Sequence, residues 1–157
     1  MTTNANWSGG GSTGADMGDV LTETSAISMP PRFFRCLDEC DYRALVGLLS
    51  EDALWVRQGK QLVGHKMVEE ALAQRNPTRR TVHLLSNLFA SRTGPDEIRV
   101  TGYLIAINHQ GEAIEPDKPA PLKGMQTIRT TSVTVRSTAD GPRICEIRNG
   151  PILFSRT

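Results

Sequence analysis

The chain has 157 residues, 38% hydrophobic and 22% charged, with 18 Lys and Arg against 17 Asp and Glu. That suits one ordinary domain with a real core and an evenly solvated surface. The charge balance argues against a polyanionic partner.

The three cysteines, Cys36, Cys40 and Cys145, are too few for a secreted disulfide scaffold. Cys36 and Cys40 lie four apart with no CxxC or nearby HxxxH, so they read as core or half-buried residues and no metal site is expected. No apolar run approaches the roughly 18 residues of a transmembrane helix. The N-terminus lacks a basic segment followed by an apolar one, so the expectation is a cytoplasmic protein without a membrane partner.

Residues 1–18 are rich in Gly, Ser, Thr, Asn and Ala and have little to bury, which predicts a flexible tail before a single domain over 19–157. Residues 19–28 read as a helix or as an arm on the domain. Order is expected from Met29-Pro30-Pro31, the prolines marking a first helical turn. Phe33, Phe34, Leu37 and Cys40 then follow helical spacing. Asp38 is four residues after Phe34 and shares its side. An acid there is either partnered, because burying it alone is costly, or a helix-end carboxylate in water.

Asp41 is an N-cap for a second helix, Tyr42 to Leu49, which buries Leu45, Leu48 and Leu49. Ser50-Glu51-Asp52 reads as a turn. Ala53 to Arg57 is a short strand with Trp55 and Arg57 on one face. Gln58-Gly59-Lys60 turns the chain, and Leu62-Val63-Gly64 leads to a third helix, His65 to Gln74, with Met67, Val68, Ala71 and Leu72 buried. His65, in its first turn, reads as a surface residue. Asn76-Pro77 stops that helix.

Strands follow: 79–92 and 96–109 around Thr93-Gly94-Pro95, then 122–137 and 142–155 around Thr138-Ala139-Asp140-Gly141. A polar, proline-rich loop, 110–121, separates the hairpins and is long enough for a lid or rim. Helices before antiparallel strands indicate an α+β domain. There are no internal repeats, and the nucleotide, GxSxG and HExxH motifs are missing. Arg79-Arg80 has no stacking aromatics beside it, so nucleic acid is not an expected partner.

Strand alternation puts His83, Leu85, Asn87 and Phe89 on one face and Val82, Leu84, Ser86 and Leu88 on the other. If the first face lines a cavity, an imidazole and an amide enter apolar surroundings. On the next strand Thr101, Tyr103, Ile105, Ile107 and His109 share a face. Tyr103 is then a pocket donor or a core tyrosine with its hydroxyl at the rim, and Asn87 orients substrate or satisfies backbone. His109, beside the polar loop, reads as surface or pocket. Arg57 either pins a substrate carboxylate or enolate or neutralises Asp38.

In order, Leu37-Asp38-Glu39-Cys40-Asp41-Tyr42-Arg43-Ala44-Leu45, Asp52-Ala53-Leu54-Trp55, Leu62-Val63-Gly64-His65 and Arg80-Thr81-Val82-His83 resemble the SnoaL-like branch of the NTF2-like superfamily, from about residue 30 onward. The resemblance implies a cone-shaped α+β fold. Three N-terminal helices would pack on a strongly curved, mostly antiparallel sheet that encloses a pocket. Superfamily members include polyketide cyclases, scytalone dehydratase, ketosteroid isomerase, limonene-epoxide hydrolase and dioxygenase small subunits, so the fold alone does not decide function.

The scytalone dehydratase-like group pairs an aspartate at the end of the first helix with a histidine on the strand after the third, positions held here by Asp38 and His83. Leu37 and Arg57 stand where that enzyme has tyrosines, so its substrate does not carry over. A ketosteroid isomerase base would fall near Arg57, and a guanidinium cannot take a proton at useful pH. No convincing pair of inward aspartates completes an epoxide hydrolase site.

An Asp-His dyad fixes one imidazole tautomer and leaves the other nitrogen to move a proton α to a carbonyl. Dehydration, isomerisation and aldol-type cyclisation all use that step, and none requires a cofactor. The expectation is a lyase or isomerase acting on a small, hydrophobic, ring-containing metabolite. Asp38 and His83 are the catalytic pair, with Tyr42, Trp55, Arg57, Asn87 and Tyr103 around the substrate. The competing expectation is a non-catalytic subunit or ligand-binding module, similar to the dioxygenase small subunits. In either case the family's use of the outer sheet face implies a homodimer, or else a trimer.

Overall fold

The computed structural model describes residues 21–109, 114–115, 117–122 and 126–155. The expected tail, 1–18, and parts of the 110–121 loop lie outside those residues. The described elements are α1 (Glu23–Asp38), α2 (Tyr42–Gly47), β1 (Leu49–Arg57), β2 (Lys60–Val63), α3 (Gly64–Ala73), β3 (Arg80–Gly94), β4 (Glu97–His109), β5 (Thr127–Thr138) and β6 (Gly141–Ser155). Six strands form one curved, unclosed sheet in the order β2-β1-β6-β5-β4-β3. Only the β1–β6 pair is parallel among them.

The first helix starts earlier than its prolines suggested. Thr22 caps it, accepting from the Ser25 backbone N–H while the Ser25 hydroxyl accepts from the Thr22 N–H. That capping box fixes the start seven residues before Pro30. Pro30 and Pro31 are interior and leave the Ala26 and Ile27 carbonyls without their helical donors. Burial of Ala26, Met29, Pro30, Phe33, Phe34 and Leu37 on one side offsets that loss.

The end of α1 positions the site. Cys40 is left-handed, with φ 60°, and the Asp41 N–H reaches back to the Cys36 carbonyl at 2.9 Å. This Schellman-type closure stops the helix just after Asp38. Asp41 then caps α2 through the Ala44 N–H at 3.0 Å. That helix is shorter than expected, because Leu49 and the predicted Ser50–Asp52 turn already belong to β1. Leu49 lies opposite Ile144 of β6, an irregularity follows, and regular pairing resumes at Leu54.

The core lies between the helices and the concave face. Phe33, Leu45, Val68, Leu72, Ile98, Val100, Val133, Val135, Ile144 and Ile147 are almost fully buried. Phe33 packs edge-on against Phe34 (5.3 Å between ring centres) and Trp55 (5.1 Å). Met67, expected inside α3, is exposed. Gln58 (φ 51°) and Gly59 (φ 78°) form the tight β1–β2 turn.

A bulge in β3 changes which residues face inward. Ser86 pairs with Tyr103 and Phe89 with Thr101, so three steps on β3 match two on β4. Asn87, with φ 54°, absorbs the extra residue. Thr81, His83 and Leu85 face in before the bulge, and Leu88 and Ala90 after it; Asn87 and Phe89 are exposed. Gly102 makes the bulge possible, since a Cβ there would lie 2.7 Å from Leu88 Cδ2 and 2.8 Å from the Ser86 carbonyl oxygen.

Candidate active site

Asp38 in the last turn of α1 and His83 on β3 meet across the helix–sheet junction. His83 Nδ1 donates to Asp38 Oδ1 at 2.6 Å, and the His83 backbone N–H donates to Oδ2 at 2.7 Å. An ionised carboxylate only accepts, so an imidazole proton is on Nδ1, and in the neutral ring it is Nε2 that carries the lone pair. The two side chains are only 13% and 14% exposed. Phe34, one turn before Asp38, lies 5.0 Å from the imidazole between ring centres.

His83 opens on a cavity of about 290 Å³ walled by Phe34, Leu37, Trp55, Leu104 and Ala106 and edged by polar groups. Asp38 does not line that cavity; it lines a separate groove that His83 and Thr81 also border. The imidazole therefore has its carboxylate outside the cavity and Nε2 without a hydrogen-bond partner among the described residues.

Of the expected binding residues, Trp55 and Arg57 line this cavity, the guanidinium 5.3 Å from the centre of the Trp55 ring. Arg57 makes no ion pair with Asp38. Tyr42 is set back from the cavity behind Arg75, whose guanidinium lies 6.0 Å from its ring. Burial, then a side-chain contact with Cys40, raises the Tyr42 hydroxyl above its ordinary pKa.

Asn87 and Tyr103 lie away from this cavity. Both lie on the outer face of the sheet, in a shallow depression with Thr101, Thr130 and Arg148. The bulge turns Asn87 outward, and on β4 the inward residues are Leu104, Ala106 and Asn108, which leaves Tyr103 outside. His109, opposite Arg80 on the same strand, shares that outer side. His65 is tied to the Leu49 carbonyl at 3.2 Å.

Several cavity residues were not anticipated: Arg75, Arg79, Thr81, Asn108, Arg129 and Asn149. Alternation through 79, 81 and 83 carried a signal for the first strand, since Arg79 and Thr81 share the face of His83. Arg75 just beyond α3, and Arg129 on a strand anticipated only as a pattern, carried none. Arg75 donates to the Leu37 carbonyl at 2.8 Å. Burial, then the Arg75 and Arg79 charges, hold Arg57 below its ordinary pKa; burial, then Arg75, does the same to Arg79. Arg79 Nε and Thr81 Oγ1 are buried with no hydrogen-bond partner among the described residues.

Among the described residues no three His, Cys, Asp or Glu are grouped as metal ligands. No described helix is long and apolar enough to cross a membrane.

No family model and no curated protein matches the sequence. Solved structures do match in shape. An NTF2-like protein with a cystatin-like fold from Novosphingobium aromaticivorans is 15% identical (TM-score 0.62, covering 80% of this chain and 79% of that one). A protein from the same organism named as a candidate scytalone dehydratase is 20% identical (TM-score 0.64, 86% and 89%). The β subunit of benzoate 1,2-dioxygenase from Burkholderia mallei is 13% identical (TM-score 0.63, 83% and 91%). The chain has the NTF2-like fold.

Proposed function

We propose that this protein is a cofactor-independent lyase or isomerase whose Asp38–His83 dyad moves a proton α to a carbonyl of a small ring compound. The observation that carries the reading is the imidazole itself. Its Nδ1 and the backbone N–H of its own residue make two short bonds to one carboxylate, and Nε2 is left unpartnered among the described residues in a side chain that lines a cavity with aromatic walls.

Nε2 takes the α proton, and the carbonyl oxygen receives the electron pair as an enolate. The imidazolium then returns the proton either to a β-hydroxyl that leaves as water or to another carbon of the enolate. Asp38 keeps Nδ1 protonated and offsets the positive charge. General acid–base help of this kind contributes about 10² to 10⁴-fold.

Solvent deuterium exchange tests this whatever the final product is. In D2O the wild type should wash deuterium into the α position of at least one member of a panel of hydroxylated tetralones and related cyclic ketones. His83→Ala should keep the fold and lose the exchange. Exchange by the variant at the wild-type rate would remove His83 from the mechanism.

A subunit-like reading has its own support. On the outer face Leu84, Ile105, Ile128 and Phe154 sit side by side across four strands, with Leu84 and Phe154 largely exposed. We assign that row to a second copy of this chain, in a homodimer compatible with an open cavity. Sedimentation of the wild type as a dimer and of Leu84→Glu as a monomer is the expected result; two monomers would refute it.

A further inference from the structure

We propose that the ligand of this cavity is an organic anion, its oxyanion held by Arg57, Arg75 and Arg79 while its ring lies against Trp55 and Phe34. The claim that this ligand is also the substrate rests on the Asp38–His83 reading; the claim that the cavity selects an anion does not.

The first support is a cluster of positive charge in a cavity with no carboxylate among its lining residues. Arg57, Arg75, Arg79 and Arg129, which all line the cavity, meet none among the described residues. Asp38, the carboxylate paired with the imidazole, is not among the lining residues, and both its oxygens accept from His83. Half-buried guanidinium groups gathered without a counter-charge are costly: besides burial, Arg75 and Arg79 disfavour the charge on Arg57, and Arg75 disfavours that on Arg79. Such an arrangement is explained if the missing charge arrives with a ligand.

Geometry supplies the second support. Arg57, Arg75 and Arg79 line not only the cavity but also an adjoining recess of about 290 Å³ against α3. The three charges thus stand at the junction of the two spaces, one of them beside His83. The buried Nε of Arg79, unpartnered among the described residues, is a donor waiting for an acceptor, and Thr81 Oγ1 is a second polar atom without a partner there. Arg57 is braced on Trp55 and Arg75 on Tyr42 and the Leu37 carbonyl, so both forks are held in place before a ligand enters. Forked donors beside aromatic walls suit a planar ring acid, with two oxygens for the arginines and a flat face for the indole.

Calorimetric titration with 2-naphthoate, its neutral amide 2-naphthamide and 2-naphthyl phosphate provides the test. The acid should bind at least tenfold more tightly than the amide, with the difference shrinking as salt rises. Tighter binding of the phosphate than of the carboxylate would identify the oxyanion as phosphoryl. Arg57→Gln and Arg79→Gln should each remove most of the preference for the acid. Arg79→Gln should also raise the urea midpoint of the unliganded protein, because it removes an uncompensated charge; a variant that merely fails to fold would lower it. Equal binding of acid and amide, or no binding of either anion, would overturn the proposal. His83→Ala should keep the preference for acid over amide, which separates anion selection from proton transfer.

Discussion

Replacing Asp38 by Asn keeps the shape of the dyad and changes which atom carries the proton. The carboxylate accepts twice, from the His83 backbone N–H at 2.7 Å and from Nδ1–H at 2.6 Å. Asparagine offers one oxygen. If it stays on the backbone N–H, its amide NH2 faces Nδ1 and donates, which drives the ring proton to Nε2. Two charge-assisted bonds, worth about 1.5–3 kcal/mol each, become neutral ones worth about 1 kcal/mol each. The expected stability loss is therefore about 1–4 kcal/mol by that difference, whereas base function should fall by about 10² to 10⁴-fold. Asp38→Ala is the contrasting case: it orphans both donors, at about 1–3 kcal/mol each.

Long-range 1H–15N NMR correlations report the His83 tautomer directly, and urea unfolding reports the stability. The wild type should show Nδ1–H and the Asn variant Nε2–H. A wild type that already carries its proton on Nε2, or a variant that keeps it on Nδ1, would refute the assignment of Asp38 as the tautomer-fixing group.

Other consequences are as direct. Phe33→Ala empties a fully buried position between Phe34 and Trp55 and should cost about 3–5 kcal/mol in urea unfolding. Gly102→Ala drives a methyl into the Ser86 carbonyl and the Leu88 side chain and should cost about 1–3 kcal/mol, with the largest amide shifts in NMR at residues 86–89. Burial pushes the Cys145 thiol above its ordinary pKa, which keeps it unreactive at pH 8. Alkylation followed by mass spectrometry should label exposed Cys40 first and Cys145 only in denaturant; rapid native labelling of Cys145 would contradict its burial.

The positions of Asp38 and His83 were legible because local rules fix them: helical spacing from Phe34 carries one inward and strand alternation the other. The α+β order was legible for the same reason, as periodicity changes from helical to alternating after Pro77. Three features were not. The start of α1 depends on a Thr22–Ser25 capping box that the Pro30-Pro31 signal overshadowed. The inward face of β3 switches at a bulge that needs Gly102 on the neighbouring strand, a non-local condition invisible within 79–94. The arginine cluster draws on β1, the connection between α3 and β3, and β5, and only the tertiary fold brings those together.

The extra residue at Asn87 also decides how β3 can be compared with the same strand elsewhere. In a protein of this fold without the bulge, a gapless alignment anchored on His83 would set Phe89 against a core position and Ala90 against a solvent position. Every residue from 88 to 92 would be read one place out of phase. Substitution effects transfer across that point only after a one-residue gap is opened at Asn87. Deleting Asn87 would make the strand regular and still leave Leu88 and Ala90 inside. Flattening the bulge with all its residues kept would do the opposite, turning Phe89 toward the core and Ala90 to water.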